Sequence, residues 1–143
     1  MSLEDNKALV RRFMDEVINA GNIDAIPDFT VEGSLFAGGI VSQIQAMKTC
    51  FPDLNHTIDE IIAEGNKVVV RSTTRGTNTG PMIGLPAFGR LETPVPPTGK
   101  TITHSAVYIF TVSDGRITGY ATELDQVGLL RQLGWTFTPP HQM

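Results

Sequence analysis

The sequence predicts a single α+β domain, and two changes in the spacing of its apolar residues are the reason. Up to residue 51 the apolar residues recur at helical spacing, and from residue 57 they alternate as in strands until a last helical stretch near the C-terminus. Helices that precede a run of strands are typical of α+β domains. A chain of 143 residues buries roughly two thirds of its unfolded surface, which is enough for a core with an internal pocket.

The first helix is predicted to begin at Ser2, because Ser2 and Asp5 have the spacing of a capping box. It should end at Asn19-Ala20-Gly21, where the apolar stripe stops. We interpret this stripe as core, and it consists of Val10, Phe13, Met14, Val17 and Ile18.

The remaining helices are predicted to be shorter. One begins near Asp24 and is limited by Pro27, and another covers residues 40–51 and ends at Pro52. A closing helix is predicted from Gln126 to Leu133, and residues 136–143 should form a loose tail.

Two β-hairpins are predicted in the central and C-terminal parts of the chain. In each, two alternating segments flank a short turn that contains glycine. The first hairpin consists of residues 57–63, a turn at 64–66 and residues 67–75, and the second of residues 101–112, a turn at 113–115 and residues 116–124.

Residues 76–100 are predicted to form a long loop rich in proline and glycine. The segment holds five of the nine prolines, yet it also contains the apolar residues Met82, Ile83, Leu85, Phe88 and Leu91. Connections of this length without regular structure are uncommon in compact domains unless they act as lids or binding loops or are disordered. The loop therefore either covers a pocket mouth or a partner subunit, or it is a surface excursion stiffened by proline.

Composition excludes several classes of function. A net charge of −4 with only 11 scattered basic residues argues against a nucleic-acid partner. No run of about 18 apolar residues is present, so a membrane role is not expected, and we predict a cytoplasmic protein. Cys50 is the single cysteine and is interpreted as a buried small hydrophobic residue. The three histidines, His56, His104 and His141, lack the spacing of a zinc site, so no metal is predicted.

Most of the chain resembles the SnoaL-like polyketide cyclases. The similarity lies in several segments that follow one another in family order, and no single segment is highly specific. They are NKALVRRFMDEVINAGNIDAI (6–26), FPDLNHTIDEIIAEGNKVVVRSTTRGTNTG (51–80), PPTGKTI (96–102), YIFTVSDGRI (108–117) and LDQVGLLRQLG (124–134).

This resemblance implies a fold, a chemistry and a catalytic residue. The fold would be the cone of the nuclear-transport-factor-two type, in which N-terminal helices wrap a strongly curved, mainly antiparallel sheet around an internal pocket. The chemistry would be an aldol ring closure of a polyketide ester without metal or organic cofactor, in an oligomeric enzyme. Asp125 matches the family's acid/base aspartate by its place before GLLRQLG. It also lies where a strand turns into a helix, so an ordinary helix cap explains it equally well.

His104 is the second candidate catalytic residue. Period two places it on one strand face with Ile102, Ala106, Tyr108 and Phe110, which is expected to face the pocket. From there it could donate to a developing enolate oxygen, although a core histidine with one structural hydrogen bond fits the same pattern. His56 begins a strand, where exposure is the default expectation. The substrate-binding residues are predicted to be Tyr108, Phe13, Tyr120 and Phe88.

Other acids and bases suggest two further mechanisms. Glu123 shares strand parity with Asp125, which invites a two-carboxylate mechanism, but one of the two should face solvent. Arg71 and Arg75 are same-face neighbours and would suggest an epoxide hydrolase of related fold if an acid joined them in the pocket. Basic residues on an outer sheet face are the simpler interpretation of these two arginines.

The chain departs from the family pattern at three places. Residues 29–39 are shortened, residues 87–95 look inserted, and Ala121 and Leu124 stand where relatives carry aromatic residues. Two functions therefore remain open: a cofactor-free acid/base enzyme for a small carbonyl-rich or polycyclic molecule, and a non-catalytic module that binds an apolar or polyketide-like ligand or only dimerises. In either case we expect a homodimer through the open sheet face.

Overall fold

The computed structural model describes residues 2–85 and 89–141. Within these ranges the helices are α1 (Leu3–Phe13), α2 (Leu35–Cys50) and α3 (Gln126–Gln132), with a π-helical turn at Met14–Asn19 and a 3-10 helix at Ile23–Asp28. The strands are β1 (Asn55–Glu64), β2 (Lys67–Thr77), β3 (Met82–Leu85), β4 (Gly89–Val95), β5 (Thr101–Ser113) and β6 (Arg116–Leu124).

The main sheet has the strand order β1-β2-β5-β6, and every neighbouring pair is antiparallel. It is curved and open, so β1 and β6 are its edges. The register shifts between Ile58 and Glu60 in β1 and between Thr111 and Val112 in β5. Such irregularities bend a strand and increase its twist. The predicted α+β class is confirmed, with helices against the concave side of this sheet.

Local signals explain where the first two long helices begin. The Ser2 hydroxyl accepts from the Asp5 amide at 3.0 Å, and the Asp5 carboxylate accepts from the Ser2 amide at 3.1 Å, which confirms the capping box. α2 begins five residues before the apolar stretch that predicted it, at Leu35 rather than at Ile40. The Ser34 hydroxyl caps it by accepting from the Ala37 amide at 3.2 Å, a signal that the two following glycines obscured.

The main core lies between α1, α2 and the inner sheet face. Phe13 occupies its centre and meets Phe29 and Phe110 edge to face, with ring centroids 5.7 Å and 6.0 Å apart. The largest fully buried side chains of this cluster are Phe13, Phe29, Phe110, Met14, Ile117, Val10, Val17, Val68 and Val70. The predicted stripe of α1 is therefore core through Val17, while Ile18 is only partly buried.

Residues 76–100 are not the structureless loop that their proline content predicted. β3 and β4 pair as an antiparallel hairpin, and Met82 of β3 is buried in a second apolar cluster with residues of α2 and α3. Short strands interrupted by glycine and by Pro94 give no clear alternation, which is why the sequence did not reveal them. Phe88 lies outside the described residues, as does the start of the stretch 87–95.

The base of this hairpin is fixed to the end of α2. The buried Asn78 side chain donates to the carbonyl oxygens of Cys50 at 3.3 Å and Gly80 at 2.9 Å, and it accepts from the Thr98 amide at 2.8 Å. The Gly80 amide also donates to the Cys50 carbonyl at 3.2 Å. Both flanks of the hairpin are thus held at one point.

The described C-terminal residues after Gly134 have neither helix nor strand, as predicted for the tail. In the part of the chain that the structure covers, none of the helices combines the length and apolar character that a membrane crossing requires.

Candidate functional site

A cavity of about 70 Å³ lies between the helices and the inner face of the main sheet. Its walls are mostly apolar, with residues from α1, α2, β3 and α3. Four of the predicted site residues line it: Phe13, His104, Tyr108 and Tyr120. The predictions for the strand face of His104 and Tyr108 thus agree with the structure, because β5 alternates between buried and exposed residues.

Three polar side chains form a row across the sheet at one end of the cavity. His56 on β1 pairs with Thr74 on β2, and Thr74 pairs with His104 on β5. All three line the cavity, and all three are buried. Since neighbouring strands lie about 4.8 Å apart, the two histidines flank Thr74 at about one strand spacing on either side.

In both histidines Nδ1 has a protein partner. His56 Nδ1 lies 2.9 Å from the Thr74 hydroxyl, and His104 Nδ1 lies 3.4 Å from the Ser105 carbonyl. Nε2 has no hydrogen-bond partner within the described part of the chain, so it is the nitrogen available to a ligand. Asn19 fixes the backbone of His56 from both sides, by donating to its carbonyl at 2.9 Å and accepting from its amide at 2.7 Å.

Burial keeps both imidazoles neutral near pH 7. Burial, with the nearby charges of His104 and Lys48 acting in the same direction, lowers the pKa of His56 to about 4. Burial also lowers the pKa of His104, although the Ser105 carbonyl and the negative charge of Asp125 oppose that shift. Neutral imidazoles of this kind can accept a proton or donate a hydrogen bond.

The tyrosines remain protonated hydroxyl donors. Burial raises the pKa of Tyr108 to about 12, with Tyr120 adding to the effect, and burial likewise raises the pKa of Tyr120. The Tyr120 hydroxyl donates to the side-chain oxygen of Gln43 on α2. The Tyr108 ring lies 5.8 Å from that of Tyr120 in a tilted arrangement and meets the His56 ring edge to face at 6.1 Å.

Lys48 of α2 contributes the formal positive charge of the cavity wall. Its ammonium donates to the carbonyl oxygens of Asn19 at 2.6 Å and Leu54 at 3.0 Å. Burial lowers the pKa of Lys48, and the charge of Asp53 counteracts this. Among the described residues that line the cavity there is no aspartate or glutamate.

Asp125 lies outside this cavity. Its side chain is exposed and caps α3 by accepting from the Gly128 amide at 2.9 Å. It borders a shallow groove on the outer sheet face together with Arg71 and Glu123. The alternation of β6 directs Leu124 into the cavity, so the next residue faces outward where the helix begins. The expected enclosed carboxylate is therefore absent at this position, and Asp125 acts on the cavity only through its charge near His104.

The other alternative mechanisms are also unsupported by the described residues. Glu123, Arg71 and Arg75 are exposed on the outer face, so neither a pair of carboxylates nor an acid-arginine pair lies in the cavity. His141 is exposed in the tail, as expected. Across residues 2–85 and 89–141, no cluster of three or more His, Cys, Asp or Glu side chains is arranged to hold a metal ion.

His56 is the site residue that the sequence prediction missed. It was expected to be exposed at a strand start, but it is buried. Its signal was available, because His56 and Ile58 share strand parity before the bulge and Ile58 packs against the core. Thr74 was likewise missed, although it shares the inner face of β2 with Val68 and Val70.

A larger and more open cleft of about 590 Å³ adjoins the cavity. α2, β6 and the β3-β4 hairpin form its walls. The cavity and the cleft share the wall residues Gln43, Met47, Gly84 and Tyr120. The hydrogen bond between Tyr120 and Gln43 thus lies at the boundary between the two spaces.

Solved structures of similar fold come from several bacteria. TsrD from Streptomyces laurentii is 24% identical, with 94% of this chain and 98% of that chain covered and a TM-score of 0.77. AclR from Streptomyces galilaeus is 22% identical, with coverage of 97% and 87% and a TM-score of 0.76. A SnoaL-like polyketide cyclase from Agrobacterium tumefaciens is 18% identical, with coverage of 94% and 99% and a TM-score of 0.68. At these identities the likeness shows the fold alone.

Comparison with curated proteins finds no match. The family model described as SnoaL-like polyketide cyclase matches residues 8–133, which include both hairpins of the main sheet, the cavity and α3. The curved antiparallel sheet with N-terminal helices is the fold that the resemblance implied. The chain therefore belongs to the SnoaL-like polyketide cyclase family.

Proposed function

We propose that the protein is a cofactor-free acid/base enzyme that transfers a proton at a carbon beside a carbonyl group of a small apolar or polyketide-like molecule. One observation carries the proposal: two neutral histidines with free Nε2 atoms line a mostly apolar cavity. In this proposal His104 is the base, and it takes the role that the family resemblance gave to Asp125.

The proposed reaction begins when His104 Nε2 accepts a proton from the carbon between two carbonyl groups. The electron pair of that C–H bond forms an enolate, whose carbon attacks a second carbonyl carbon and closes a ring. The protonated His104 then returns the proton to the new alkoxide, so the imidazole is regenerated. A base whose pKa is lowered by burial suits substrates whose carbon acidity is raised by two carbonyls.

Tyr108 is proposed to stabilise the enolate oxygen, and its ring meets that of His56 edge to face. The Tyr108 hydroxyl is a donor with a raised pKa, so it gives a hydrogen bond without losing its proton. His56 is held at its backbone by Asn19 and at Nδ1 by Thr74, which fixes the direction of its ring. Donors that are oriented before the reaction stabilise the negative charge that develops during it, and they do so most effectively in an apolar site.

The cleft is proposed to hold the rest of the ligand. The cavity alone is too small for a polycyclic molecule, whereas the volume of about 590 Å³ of the cleft is within the range of ligand pockets. Tyr120 and Gln43 each line the cavity and the cleft. Breaking the hydrogen bond between them would therefore join the two spaces.

The test is deuterium exchange at the activated α-carbon of 2-tetralone, a bicyclic ketone, followed by NMR in heavy water. We expect the protein to accelerate exchange above the buffer rate, and His104→Asn to lower that acceleration by about 100-fold or more. His141→Asn, which removes an exposed histidine of the tail, is the matched control and should behave as the unaltered protein. Full exchange activity in His104→Asn would refute the assigned base.

A non-catalytic binding module is the second candidate, and the exposed position of Asp125 favours it. The same exchange experiment separates the two. Binding of 2-tetralone without faster exchange would support the binding module and refute the enzyme.

We also propose a homodimer through the outer face of the main sheet. Ile62 on β1, Val69 on β2 and Ile109 on β5 form an apolar row across this face, and Ile62 and Ile109 are 62% and 41% exposed. Exposed apolar rows of this kind mark interaction sites. Light scattering should give a dimer mass that Ile109→Lys reduces to that of a monomer, and a monomer mass for the unaltered protein at all concentrations would refute the dimer.

A further inference from the structure

Among the described residues, the polar end of the cavity contains several hydrogen-bond donors and no acid. Lys48, His56, Thr74 and His104 all line this end, and they are connected through the backbone that carries them. Lys48 donates to the carbonyl of Asn19, and the Asn19 side chain holds both backbone groups of His56. The partly buried ammonium of Lys48 and two buried imidazoles thus border the same mostly apolar cavity.

Lys48 has one N–H more than it has hydrogen-bond partners among the described residues. An ammonium has three donors, and the carbonyl oxygens of Asn19 and Leu54 take two of them at 2.6 Å and 3.0 Å. Asp53 is the charged group that acts on the pKa of Lys48, and it is exposed and uses one carboxylate oxygen to accept from the Thr77 amide at 2.7 Å. The cavity side of Lys48 therefore has no anionic partner among the described residues.

His56 adds a further donor. If the Thr74 hydroxyl donates to His56 Nδ1, the neutral ring carries its proton on Nε2 and can donate it to a ligand. His104 Nε2 is also free of protein partners in the described chain, but because Nδ1 donates to the Ser105 carbonyl, Nε2 is an acceptor, as the proposed base requires. After burial, the positive charges of His104 and Lys48 are the causes that disfavour protonation of His56. An anion placed among these groups would offset that repulsion.

We propose that Lys48 and His56, the latter oriented by the Thr74 hydroxyl, form a subsite for a carboxylate, and that the natural ligand carries a carboxylate on an apolar body. This inference deepens the proposed function by naming a substrate class, and it rests on that function only in taking the cavity as the ligand site. A single carboxylate matches the single formal charge of Lys48, whereas a phosphate would bring nearly two charges into a small apolar space. The apolar remainder would contact Ile44, Leu54 and Phe110 and extend toward the cleft.

The probes are hexanoate and hexanamide, which share an aliphatic chain and nearly the same head-group shape but differ in charge. Calorimetry at pH 7 should show hexanoate binding at least about tenfold more tightly, because hydrogen bonds to a charged acceptor are stronger than neutral ones. Equal affinity of the two probes would overturn the proposal, as would the absence of hexanoate binding.

Lys48→Gln removes the charge but keeps a donor for the carbonyl of Asn19 or Leu54. We expect it to abolish the preference for hexanoate over hexanamide while leaving hexanamide binding unchanged. Lys67→Gln is the matched control, since Lys67 is exposed and donates to the Thr111 hydroxyl at 2.6 Å on the far side of the sheet. A preference that persists in Lys48→Gln would overturn the proposal, and a thermal melt confirms that each variant is folded.

A spectroscopic readout tests the proposal if Lys48→Gln fails to fold. NMR titration of the histidine Cε1 protons should show that hexanoate raises the pKa of His56 and that hexanamide does not. The titratable groups that face His56 are Lys48 of α2 and His104 and Tyr108 of β5. The carboxylate would offset the charge of Lys48, and that of His104 when His104 is protonated. Neither probe has to react, so hexanoate binding with no acceleration of 2-tetralone exchange would refute the enzyme and leave the subsite supported.

Discussion

The Asp125 carboxylate has two effects that substitution can separate. It accepts from the Gly128 amide at 2.9 Å as the cap of α3, and its charge raises the pKa of His104 against the lowering effect of burial. Asparagine caps a helix about as well as aspartate but carries no charge, whereas alanine does neither. The pair of variants therefore distinguishes the electrostatic effect from the structural one.

Asp125→Asn should lower the pKa of His104 without loss of stability. Removing the negative charge leaves burial less opposed, so the titration of the His104 Cε1 proton moves to lower pH. If His104 is the base, the pH profile of the exchange reaction should move in the same direction. Asp125→Ala should show the same titration and additionally lose about 1 kcal/mol of stability with the cap. An unchanged His104 titration in Asp125→Asn would contradict this account.

The sequence could identify His104 and Tyr108 as cavity residues because strict alternation holds along β5. It could not decide the direction of Asp125, since one residue of register at the end of β6 exchanges the inner and outer faces. Here Leu124 takes the inner position and the acid faces outward. His56 was misjudged because a position near a strand start was given more weight than its parity with Ile58.

At the scale of elements, the hairpin β3-β4 depends on close packing at its base. Gly80 lies so near the end of α2 that a Cβ there would stand 1.7 Å from the Thr49 carbonyl oxygen. Because that oxygen belongs to the backbone, the hairpin base or the helix end would have to move. Asn78 holds the same point by its hydrogen bonds to Cys50, Gly80 and Thr98.

Gly80→Ala should destabilise the protein by about 2 kcal/mol or more, since overpacking of a buried site costs about 1–3 kcal/mol. Amide exchange should become faster in β3 and β4 than in the main sheet. Gly39→Ala is the matched control, because Gly39 is exposed within α2 and a Cβ there meets nothing within 4 Å. It should raise stability by about 1 kcal/mol through helix propensity. Equal melting temperatures for the two variants would contradict the packing argument.

The helices and the two hairpins of the main sheet followed from period, caps and turns, which are local signals. The β3-β4 hairpin did not, because its pairing is held by contacts with α2 rather than by its own alternation. Met82 illustrates the difference: it looked like one apolar residue of a loop, yet it is buried against residues of α2 and α3. Tertiary contacts of this kind have no signature in a short window of sequence.

At the scale of the whole molecule, the buried histidines couple stability to pH. The pKa of His56 is about 4 in the folded protein, compared with 6.5 for an unperturbed histidine, and that of His104 is also lowered. Between these values the unfolded chain binds more protons than the folded one, so the free energy of unfolding rises with pH. The contribution is fully present above pH 6.5 and is lost as the pH falls toward 4. For His56 it corresponds to about 3 kcal/mol.

Urea unfolding at intervals between pH 4 and 7 should therefore show stability falling on acidification within this window. His56→Gln should flatten the curve, because it removes the group with the larger resolved shift, whereas His141→Gln in the exposed tail should leave the slope unchanged. The carboxylates of Asp5 and Asp53 also have lowered pKa values, but their contribution is lost below their ordinary value of 3.8, so it falls outside the window. If the free energy of unfolding of His56→Gln fell with decreasing pH as steeply as that of the unaltered protein, groups other than His56 would be responsible for the acid sensitivity. The neutral histidines on which the proposed proton transfer depends would then lack this support.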